Sequence, residues 1–306
     1  MLALGFVLLA AVLAAPFAIE ALRRPMDAAA RQAAPGQFAQ LPQGTTHYQW
    51  FGPEAGPLVV CIHGLTTPGF VWHGLAQGLA AQGYRVLVYD LYGRGYSDRP
   101  KGAQTPAFFL RQVNDLMADQ KITGDMTVIG YSMGAVIATA LAAETEKVRR
   151  LVLLAPAGMR PVGDGFLRLL VRTPVLGRWL MMAYYPGMLR RGLRAEADQP
   201  GNVPEITKRQ SAELDFRGFL PAVIASLRGT LTQQMQEPHE AVASRGISVL
   251  AIWGGADAVI PLADQERLGR WNPNVTQHVI AGAGHGLPYT HTRQVLALVT
   301  GFVQRP

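Results

Sequence analysis

A serine flanked by glycines is the feature of this sequence best suited to chemistry. Ser132 lies in the run Gly130-Tyr-Ser-Met-Gly134, directly after an apolar segment of strand length and directly before a segment of helix length. A sharp turn from strand to helix needs glycines there, because side chains would crowd the two backbones. Such a turn lifts the Ser132 hydroxyl above the sheet and leaves the Met133 N–H at a helix N-terminus, aimed at a reacting oxygen. The pattern predicts a nucleophilic serine, with an ordinary helix N-cap as the alternative.

A nucleophilic serine requires a general base, and the base requires an acid that orients it. His285 lies in a glycine-rich segment, Gly282–Gly286, that follows the last strand candidate. A histidine at the end of a strand can reach over the edge of the sheet to Ser132. Asp257 follows the preceding strand candidate, where its carboxylate can hold the imidazole. We expect Ser132, Asp257 and His285 to form a catalytic triad that requires no metal or organic cofactor.

The elements that must position these residues alternate along the chain from Thr46 onwards. The strand candidates, which are short and apolar, are Leu58–Ile62, Arg85–Tyr89, Met126–Gly130, Leu151–Leu154, Ser248–Trp253 and Gln277–Ile280. The helix candidates are Phe70–Gln82, Pro106–Gln120 and Met133–Thr145. Continuous apolar strands separated by helices predict a mostly parallel sheet covered on both faces, which is a doubly wound α/β architecture. Residues 45–156 and 238–306 are expected to form this core.

The alternation stops between residues 157 and 237. This segment has helix-like pieces separated by Pro and Gly and has no convincing strand, so it is expected to be a helical insertion in a single α/β domain. Within it, residues 166–185 are apolar with interleaved arginines. A surface of this kind either lies on anionic lipid headgroups or packs against the catalytic domain, and the sequence leaves both open.

The first residues of the chain are long and apolar enough to span a bilayer. No side chain from Leu2 to Ile19 is charged, and at about 1.5 Å per residue this run covers about 27 Å, close to the hydrocarbon thickness. No basic residue precedes the run, whereas Arg23 and Arg24 follow it. This favours an uncleaved anchor over residues 1–22 rather than a cleavable signal peptide. Residues 23–44, rich in Ala, Gln, Pro and Gly, are expected to be a tether.

The predicted anchor also indicates on which side of the membrane the rest of the chain lies. The positive-inside rule places the domain that follows Arg23 and Arg24 on the cytoplasmic side of a bacterial inner membrane, as a single-pass membrane protein. A secreted or periplasmic protein, released by signal cleavage, is the alternative.

Composition limits the classes of function. The 306 residues carry 28 Lys+Arg and 21 Asp+Glu, for a net charge of +7. A nucleic-acid binder clusters its basic residues with stacking aromatics, whereas the arginines here are scattered, so no nucleic-acid partner is expected. Attraction to an anionic membrane surface explains the charge better. Cys61 is the single cysteine, which excludes a disulfide framework and a cysteine-built metal site.

The order of the motifs along the chain, with Ser132 first, Asp257 second and His285 third, resembles that of the α/β-hydrolase superfamily. The resemblance covers about residues 46–302. His63-Gly64 resembles the family's oxyanion-loop motif, which implies that the Leu65 N–H joins that of Met133 in an oxyanion hole. Asp90–Ser97 resembles the D-x-x-G-x-G-x-S stretch, which shapes a loop near the site. The insertion at 157–237 falls where the family carries its lid. The expected substrate-pocket residues are His63, Gly64, Tyr131, Phe70 and Trp72.

The resemblance implies a hydrolase that cleaves carboxylic esters through an acyl-enzyme on Ser132. The layout is similar to that of membrane-anchored monoacylglycerol lipases, which favours a lipid-like or medium-chain ester as the small-molecule substrate. The membrane is expected to be contacted by the N-terminal helix, and also by the lid in the alternative in which residues 166–185 lie on lipid headgroups. Serine at position 132 argues against dehalogenases and epoxide hydrolases, whose nucleophile is aspartate.

Two alternatives stay open. Carbon–carbon bond hydrolases often have asparagine before the nucleophile and a glycine-rich H-G-G-G-P-G loop, whereas this chain has Tyr131 and reads HGLTTPG over residues 63–69. A carbon–carbon hydrolase or a thioesterase on the same scaffold is the alternative among enzymes. A non-catalytic ligand-binding protein is the alternative from another class.

Overall fold

The computed structural model describes residues 2–161, 165–195 and 201–304, and an eight-stranded sheet lies at its centre. The strands are β1 (Gln37–Leu41), β2 (Gly44–Phe51), β3 (Leu58–Ile62), β4 (Arg85–Tyr89), β5 (Met126–Tyr131), β6 (Val148–Leu154), β7 (Ser248–Gly254) and β8 (Thr276–Ile280). Their spatial order is β1-β2-β4-β3-β5-β6-β7-β8. Strands β3 to β8 are parallel to one another, whereas β1 and β2 are antiparallel to their neighbours.

Helices cover both faces of the sheet, and further helices lie in the N-terminal segment and in the insertion. They are α1 (Leu2–Leu22), α2 (Ala28–Arg31), α3 (His73–Ala81), α4 (Pro106–Asp119), α5 (Met133–Glu144), α6 (Gly165–Arg172), α7 (Pro174–Ala183), α8 (Tyr185–Ala195), α9 (Ile206–Ala212), α10 (Phe219–Arg228), α11 (Gln236–Ser244), α12 (Asp264–Trp271), α13 (Leu287–Thr290) and α14 (Thr292–Val303). Helices α3 and α14 share one apolar core with one face of the sheet, and α4, α5, α11 and α12 share the other. The doubly wound α/β architecture predicted from the sequence is confirmed.

Alternation along the buried strands builds both cores. In β3, Val60 and Ile62 face the α5 side, whereas Val59 and Cys61 face the α3 side, and all four are buried. A parallel strand between two helical layers is buried on both faces and is therefore a continuous apolar run. This is why β3 to β7 were recognisable in the sequence, whereas the edge strand β8 is only partly buried.

The prediction of a tether over residues 23–44 is wrong for Gln37–Leu41, which form the edge strand β1 and pair with β2. An antiparallel strand at an edge has one exposed face, so polar residues interrupt its apolar pattern. The sheet therefore begins before residue 45. The short helix α2 also lies inside the predicted tether, and the Nε–H of Arg31 donates to the Tyr96 carbonyl at 2.9 Å.

Helix α1 is 21 residues long and almost wholly exposed, with a length and composition that suit either a membrane span or a signal sequence. Its C-terminal end is docked on the insertion. The Gly218 N–H donates to the buried Glu20 carboxylate at 2.6 Å. Backbone bonds join Arg24 to the 215–217 segment, since its N–H donates to the Asp215 carbonyl at 3.2 Å and its carbonyl accepts from the Arg217 N–H at 2.9 Å. The end of α1 and the insertion are therefore one packed unit.

A buried histidine far from the candidate site predicts acid sensitivity. His239 on α11 is 1% exposed and stacks on Trp271, and burial lowers its pKa to about 4, compared with about 6.5 in an unfolded chain. Between these pH values the native state binds fewer protons than the unfolded state, so the free energy of unfolding falls as the pH drops below about 6.5. For one such histidine the loss is about 2 kcal/mol at pH 5.

His239→Phe keeps the ring on Trp271 and removes the titration. We expect its free energy of unfolding to decline less steeply than that of the wild type between pH 7.5 and pH 5, measured by urea titration at several pH values. Burial also lowers the pKa of His63 and His73 to about 4, so the variant should retain part of the acid sensitivity. Parallel pH profiles of the two proteins would contradict the prediction.

Candidate active site

Ser132 lies on a tight turn between β5 and α5. Its backbone has φ 54° and ψ −117°, a conformation that side-chain-bearing residues rarely adopt. The turn is held from both sides, because a Cβ on Gly134 would lie 2.1 Å from the Ile62 carbonyl oxygen and one on Gly130 would lie 2.5 Å from the Gly134 carbonyl oxygen. The Ser132 N–H donates to the Leu154 carbonyl at 2.9 Å. The flanking glycines are therefore required for strand and helix to pack this closely.

The structure brings Ser132, His285 and Asp257 together at the carboxyl ends of the parallel strands. His285 Nε2 lies 3.0 Å from Ser132 Oγ, and His285 Nδ1 lies 2.8 Å from Asp257 Oδ2. These distances match a serine hydroxyl that donates to a neutral imidazole, which in turn donates to a carboxylate. The three side chains form one continuous chain of hydrogen bonds.

Asp257 is held as an anion. Its side chain is 1% exposed, and its Oδ1 accepts the backbone N–H groups of Val259 at 2.7 Å and Ile260 at 2.9 Å. Burial alone would raise the pKa of Asp257, but the hydrogen bond and charge of His285 and these two N–H groups together hold the pKa below its usual value. An ionised Asp257 keeps the proton of His285 on Nδ1, which leaves Nε2 free to accept from Ser132.

Tyr131 supports the histidine loop. Its hydroxyl donates to the His285 carbonyl at 3.0 Å, and its ring lies 5.3 Å from the imidazole, centroid to centroid. Tyr131 precedes Ser132 in the chain, so one turn positions both the hydroxyl and the loop that carries His285. The expected pocket residue Tyr131 is thus in contact with the candidate base.

The loop after β3 lies directly against the turn. A Cβ on Gly64 would be 3.3 Å from Ser132 Cβ, so the backbone of Gly64 lies next to the serine. His63 Nδ1 lies 2.8 Å from the Gly64 carbonyl oxygen, and His63 Nε2 accepts the Leu91 N–H at 2.8 Å. The Gly64 carbonyl and the Leu65 N–H belong to one peptide group, so fixing the carbonyl aims the N–H.

His63 shapes this loop and does not line a pocket. Its side chain is fully buried, and burial lowers its pKa to about 4. A neutral imidazole is what its two hydrogen bonds require, because one nitrogen donates and the other accepts. The expectation that His63 is a pocket residue is therefore wrong, for the physical reason that protein atoms enclose it on all sides.

Trp72 is also a core residue, contrary to expectation. It is fully buried and packs edge-to-face against Tyr131 with ring centroids 6.3 Å apart. Phe70 is partly exposed, but the Arg209 guanidinium from α9 lies 4.1 Å from its ring centroid. The sequence alone does not distinguish an apolar loop residue that packs in the core from one that lines a pocket. In the structure Trp72 packs in the core.

Arg94 is a residue that the sequence reasoning did not single out. It lies between the two glycines of the Asp90–Ser97 stretch and is fully buried. Its Nε–H donates to the Leu65 carbonyl at 2.9 Å, and a guanidinium nitrogen donates to Ser226 Oγ on α10 at 2.8 Å. Burial lowers its pKa to about 9, so it stays charged at neutral pH. Arg94 therefore ties the loop that holds Leu65 to the insertion.

A groove of about 460 Å³ lies beside the candidate site. It is lined by Ala157, Gly158, Arg160, Pro161, Leu167, Arg168, Ala258, Val259, Ile260, Pro261 and Asp264. The Ala157 N–H donates to the Ser132 carbonyl at 3.2 Å, and Val259 donates to Asp257. The groove thus runs between the first helix of the insertion and the loop that carries Asp257. No sequence motif marked it, because its walls come from distant parts of the chain.

Within residues 2–161, 165–195 and 201–304, no group of three or more His, Cys, Asp or Glu side chains is arranged to hold a metal ion. Cys61 is fully buried, and burial raises the pKa of its thiol.

Comparison with known proteins identifies the fold. Residues 57–292 match the family model described as alpha/beta hydrolase fold. The chain is 28% identical over 244 residues to 2-hydroxymuconate semialdehyde hydrolase of Pseudomonas putida, covering 75% of this chain and 80% of the relative. It is 28% identical over 231 residues to haloalkane dehalogenase of Mycobacterium marinum, covering 72% and 75%.

One solved structure is similar over nearly the whole chain. It is described as a membrane phospholipase A, a novel bacterial virulence factor, and it superposes with a TM-score of 0.69 and 20% sequence identity, over 99% of this chain and 97% of that one. The match therefore extends to helix α1, which a match to the sheet domain alone would not include.

Proposed function

The chain belongs to the α/β hydrolase fold family, and we propose that it is a serine hydrolase that cleaves carboxylic esters through an acyl-enzyme on Ser132. The observation that carries the proposal is the hydrogen-bonded chain from Asp257 through His285 to Ser132. Its order and distances are those that activate a serine hydroxyl towards an acyl carbon.

In the proposed mechanism, Ser132 Oγ attacks the ester carbonyl carbon while His285 Nε2 takes the hydroxyl proton. The Met133 and Leu65 N–H groups donate to the oxyanion that forms. His285 then donates the proton to the alcohol as its bond to the acyl carbon breaks. In the second half His285 removes a proton from the water that attacks the acyl-enzyme, and returns it to Ser132 Oγ as the bond from Oγ to the acyl carbon breaks and the carboxylic acid leaves. Asp257 keeps the imidazole in the required tautomer and stabilises its charged form throughout.

We propose a lipid-like or medium-chain ester as substrate. The groove beside Ser132 has aliphatic side chains such as Leu167, Val259 and Ile260 along its walls, which suits an acyl chain. The apolar helix α1 is docked on the insertion, and we propose that it anchors the enzyme as a single-pass membrane protein close to such substrates. Arg23 and Arg24 favour a cytoplasmic catalytic domain. Signal cleavage and release is the alternative.

A carbon–carbon bond hydrolase is the second candidate, favoured by the 28% identity to 2-hydroxymuconate semialdehyde hydrolase. The same hydrogen-bonded chain of side chains would serve there, so the geometry of Ser132, His285 and Asp257 does not separate the two. Tyr131 before the serine and the HGLTTPG loop favour the ester reading.

The test uses the purified full-length protein in detergent with a fluorophosphonate probe. We expect labelling of the wild type and of Ser244→Ala, an exposed serine on α11, and none of Ser132→Ala. A series of p-nitrophenyl esters from acetate to laurate then sizes the acyl site, beside an acyl thioester and a vinylogous 1,5-diketone.

Each outcome has one meaning. Ester hydrolysis that is lost in Ser132→Ala and kept in Ser244→Ala supports the proposal. Turnover of the thioester or the diketone, with none of any ester, replaces it with the alternative enzyme. Absence of labelling in the folded wild type overturns serine catalysis and favours a ligand-binding protein.

A further inference from the structure

Helices α6 to α8 carry a concentrated positive charge. Residues 165–195 contain six arginines and no Asp, Glu or Lys, so this segment has a charge of +6 in a chain whose net charge is +7. All six are exposed, and they are Arg168, Arg172, Arg178, Arg190, Arg191 and Arg194. We call the exposed residues of α6 to α8 the basic surface.

The basic surface also exposes large apolar side chains. Val175 and Leu176, in the first turn of α7, are 82% and 50% exposed, and Tyr184 at the end of that helix is 56% exposed. Leu169 and Met188 on the flanking helices are exposed as well. Single exposed apolar residues need no explanation, but several among arginines mark an interaction surface. Arginine beside aliphatic and aromatic side chains is the composition of helices that lie in a lipid headgroup layer.

The position of α1 indicates which partner binds the basic surface. Helix α1 packs against α7, and its last turn is held by the Glu20–Gly218 hydrogen bond and by the backbone bonds of Arg24. A bilayer that contains α1 therefore begins beside the basic surface. Guanidinium groups bind phosphate through paired hydrogen bonds, so anionic phospholipid headgroups complement the charge.

We propose that the basic surface binds anionic phospholipid headgroups of the same bilayer that holds α1, with Val175 and Leu176 inserted at the interface. This proposal rests on the membrane anchorage proposed above. Arg168 belongs to the basic surface, and it lines the groove beside Ser132 together with its neighbour Leu167. An ester drawn from the bilayer would then reach the groove without crossing bulk water.

The test reports the surroundings of one side chain in the full-length protein. Val175→Cys is labelled with the environment-sensitive fluorophore NBD; Cys61 does not compete, because it is fully buried and its thiol pKa is raised. The matched control is Asn274→Cys, which is exposed just before β8 at the amino ends of the strands, on the opposite edge of the sheet. Both proteins are reconstituted into phosphatidylcholine vesicles with and without phosphatidylglycerol.

We expect a blue shift and roughly a twofold or greater rise in NBD emission at position 175 only when phosphatidylglycerol is present. High salt and the triple variant Arg190→Glu/Arg191→Glu/Arg194→Glu should both reverse it. Position 274 should not respond. The triple variant should hydrolyse a soluble p-nitrophenyl ester in detergent as the wild type does, because none of these arginines lies at the candidate triad.

Three results would overturn the proposal. Emission at position 175 that matches position 274 in both vesicles would show a surface that stays in water. An equal shift with and without phosphatidylglycerol would show apolar contact without headgroup recognition. A shift that depends on protein concentration and not on lipid would show a second copy on this face. Vesicle flotation tests the anchor separately, and ester hydrolysis tests the proposed function separately.

Discussion

Replacing Asp257 with asparagine is expected to lower kcat for ester hydrolysis by about four orders of magnitude. The amide oxygen of asparagine would keep the backbone N–H groups of Val259 and Ile260, which places its NH2 group against His285 Nδ1. An NH2 group donates there, so the imidazole is driven to the tautomer whose Nε2 carries the proton and cannot accept from Ser132. Asparagine also removes the charge that stabilises the imidazolium. The KM should change little, because Asp257 is buried behind His285 and contacts no substrate. Steady-state kinetics on a p-nitrophenyl ester measures both parameters.

Asp264→Asn is the matched control. Asp264 is also a buried aspartate, 2% exposed, and it pairs with Arg160 at 2.6 Å instead of with the histidine. We expect it to lose stability, with kcat reduced far less than in Asp257→Asn. Fluorophosphonate labelling should slow in Asp257→Asn and continue at nearly the wild-type rate in Asp264→Asn. Equal losses of kcat in the two variants would remove Asp257 from the proposed triad.

Replacing Arg94 with methionine is expected to lower kcat by about 10- to 100-fold with little change in KM. Methionine fills much of the buried volume but cannot donate to the Leu65 carbonyl, so the loop that presents the Leu65 N–H loses one of its restraints. Loss of a whole oxyanion donor costs about 10²- to 10³-fold in kcat, and a misaimed donor should cost less. The variant also leaves several buried acceptors unsatisfied, so we expect a loss of about 2–4 kcal/mol of stability.

Two further variants separate positioning from folding. Arg94→Lys keeps the charge but has a single donor group, so it should fold better than Arg94→Met and still have a reduced kcat. Ser226→Ala removes an acceptor of Arg94 on α10 and leaves its bond to Leu65 in place. We expect it to lose about 1 kcal/mol of stability with kcat nearly unchanged. A kcat that follows stability across all three variants would mean that Arg94 only stabilises the fold.

The strands could be predicted from the sequence where burial on both faces requires a run of apolar residues. Strands β3 to β7 lie between two helical layers, and a strand of that kind must be apolar at consecutive positions. Strand β1, Gln37–Leu41, was missed because an edge strand needs apolar residues on one face only, and its mixed composition is also that of a linker. Composition measures the average polarity of a segment, whereas pairing with β2 depends on which residues share a face.

Some residues of the candidate site could likewise be located from the sequence, whereas others could not. Ser132, Asp257 and His285 could be located from the sequence because each lies at or shortly after the end of a parallel strand, and the carboxyl ends of such strands lie along one edge of the sheet. His63 and Trp72 were misplaced because the sequence does not record whether a side chain beside the site points into a cavity or into the core. In the structure both are fully buried.

By itself, the sequence determined the α/β class, the turn at Ser132 and the apolar helix at the N-terminus, since each depends on residue type at short spacing. Only the tertiary structure decided how these parts are joined. Arg94 draws its acceptors from residues 65, 104 and 226, and α1 is held by residue 218. Such contacts satisfy buried polar groups that lie far apart in the chain, and only the packing of the whole chain determines which of them meet.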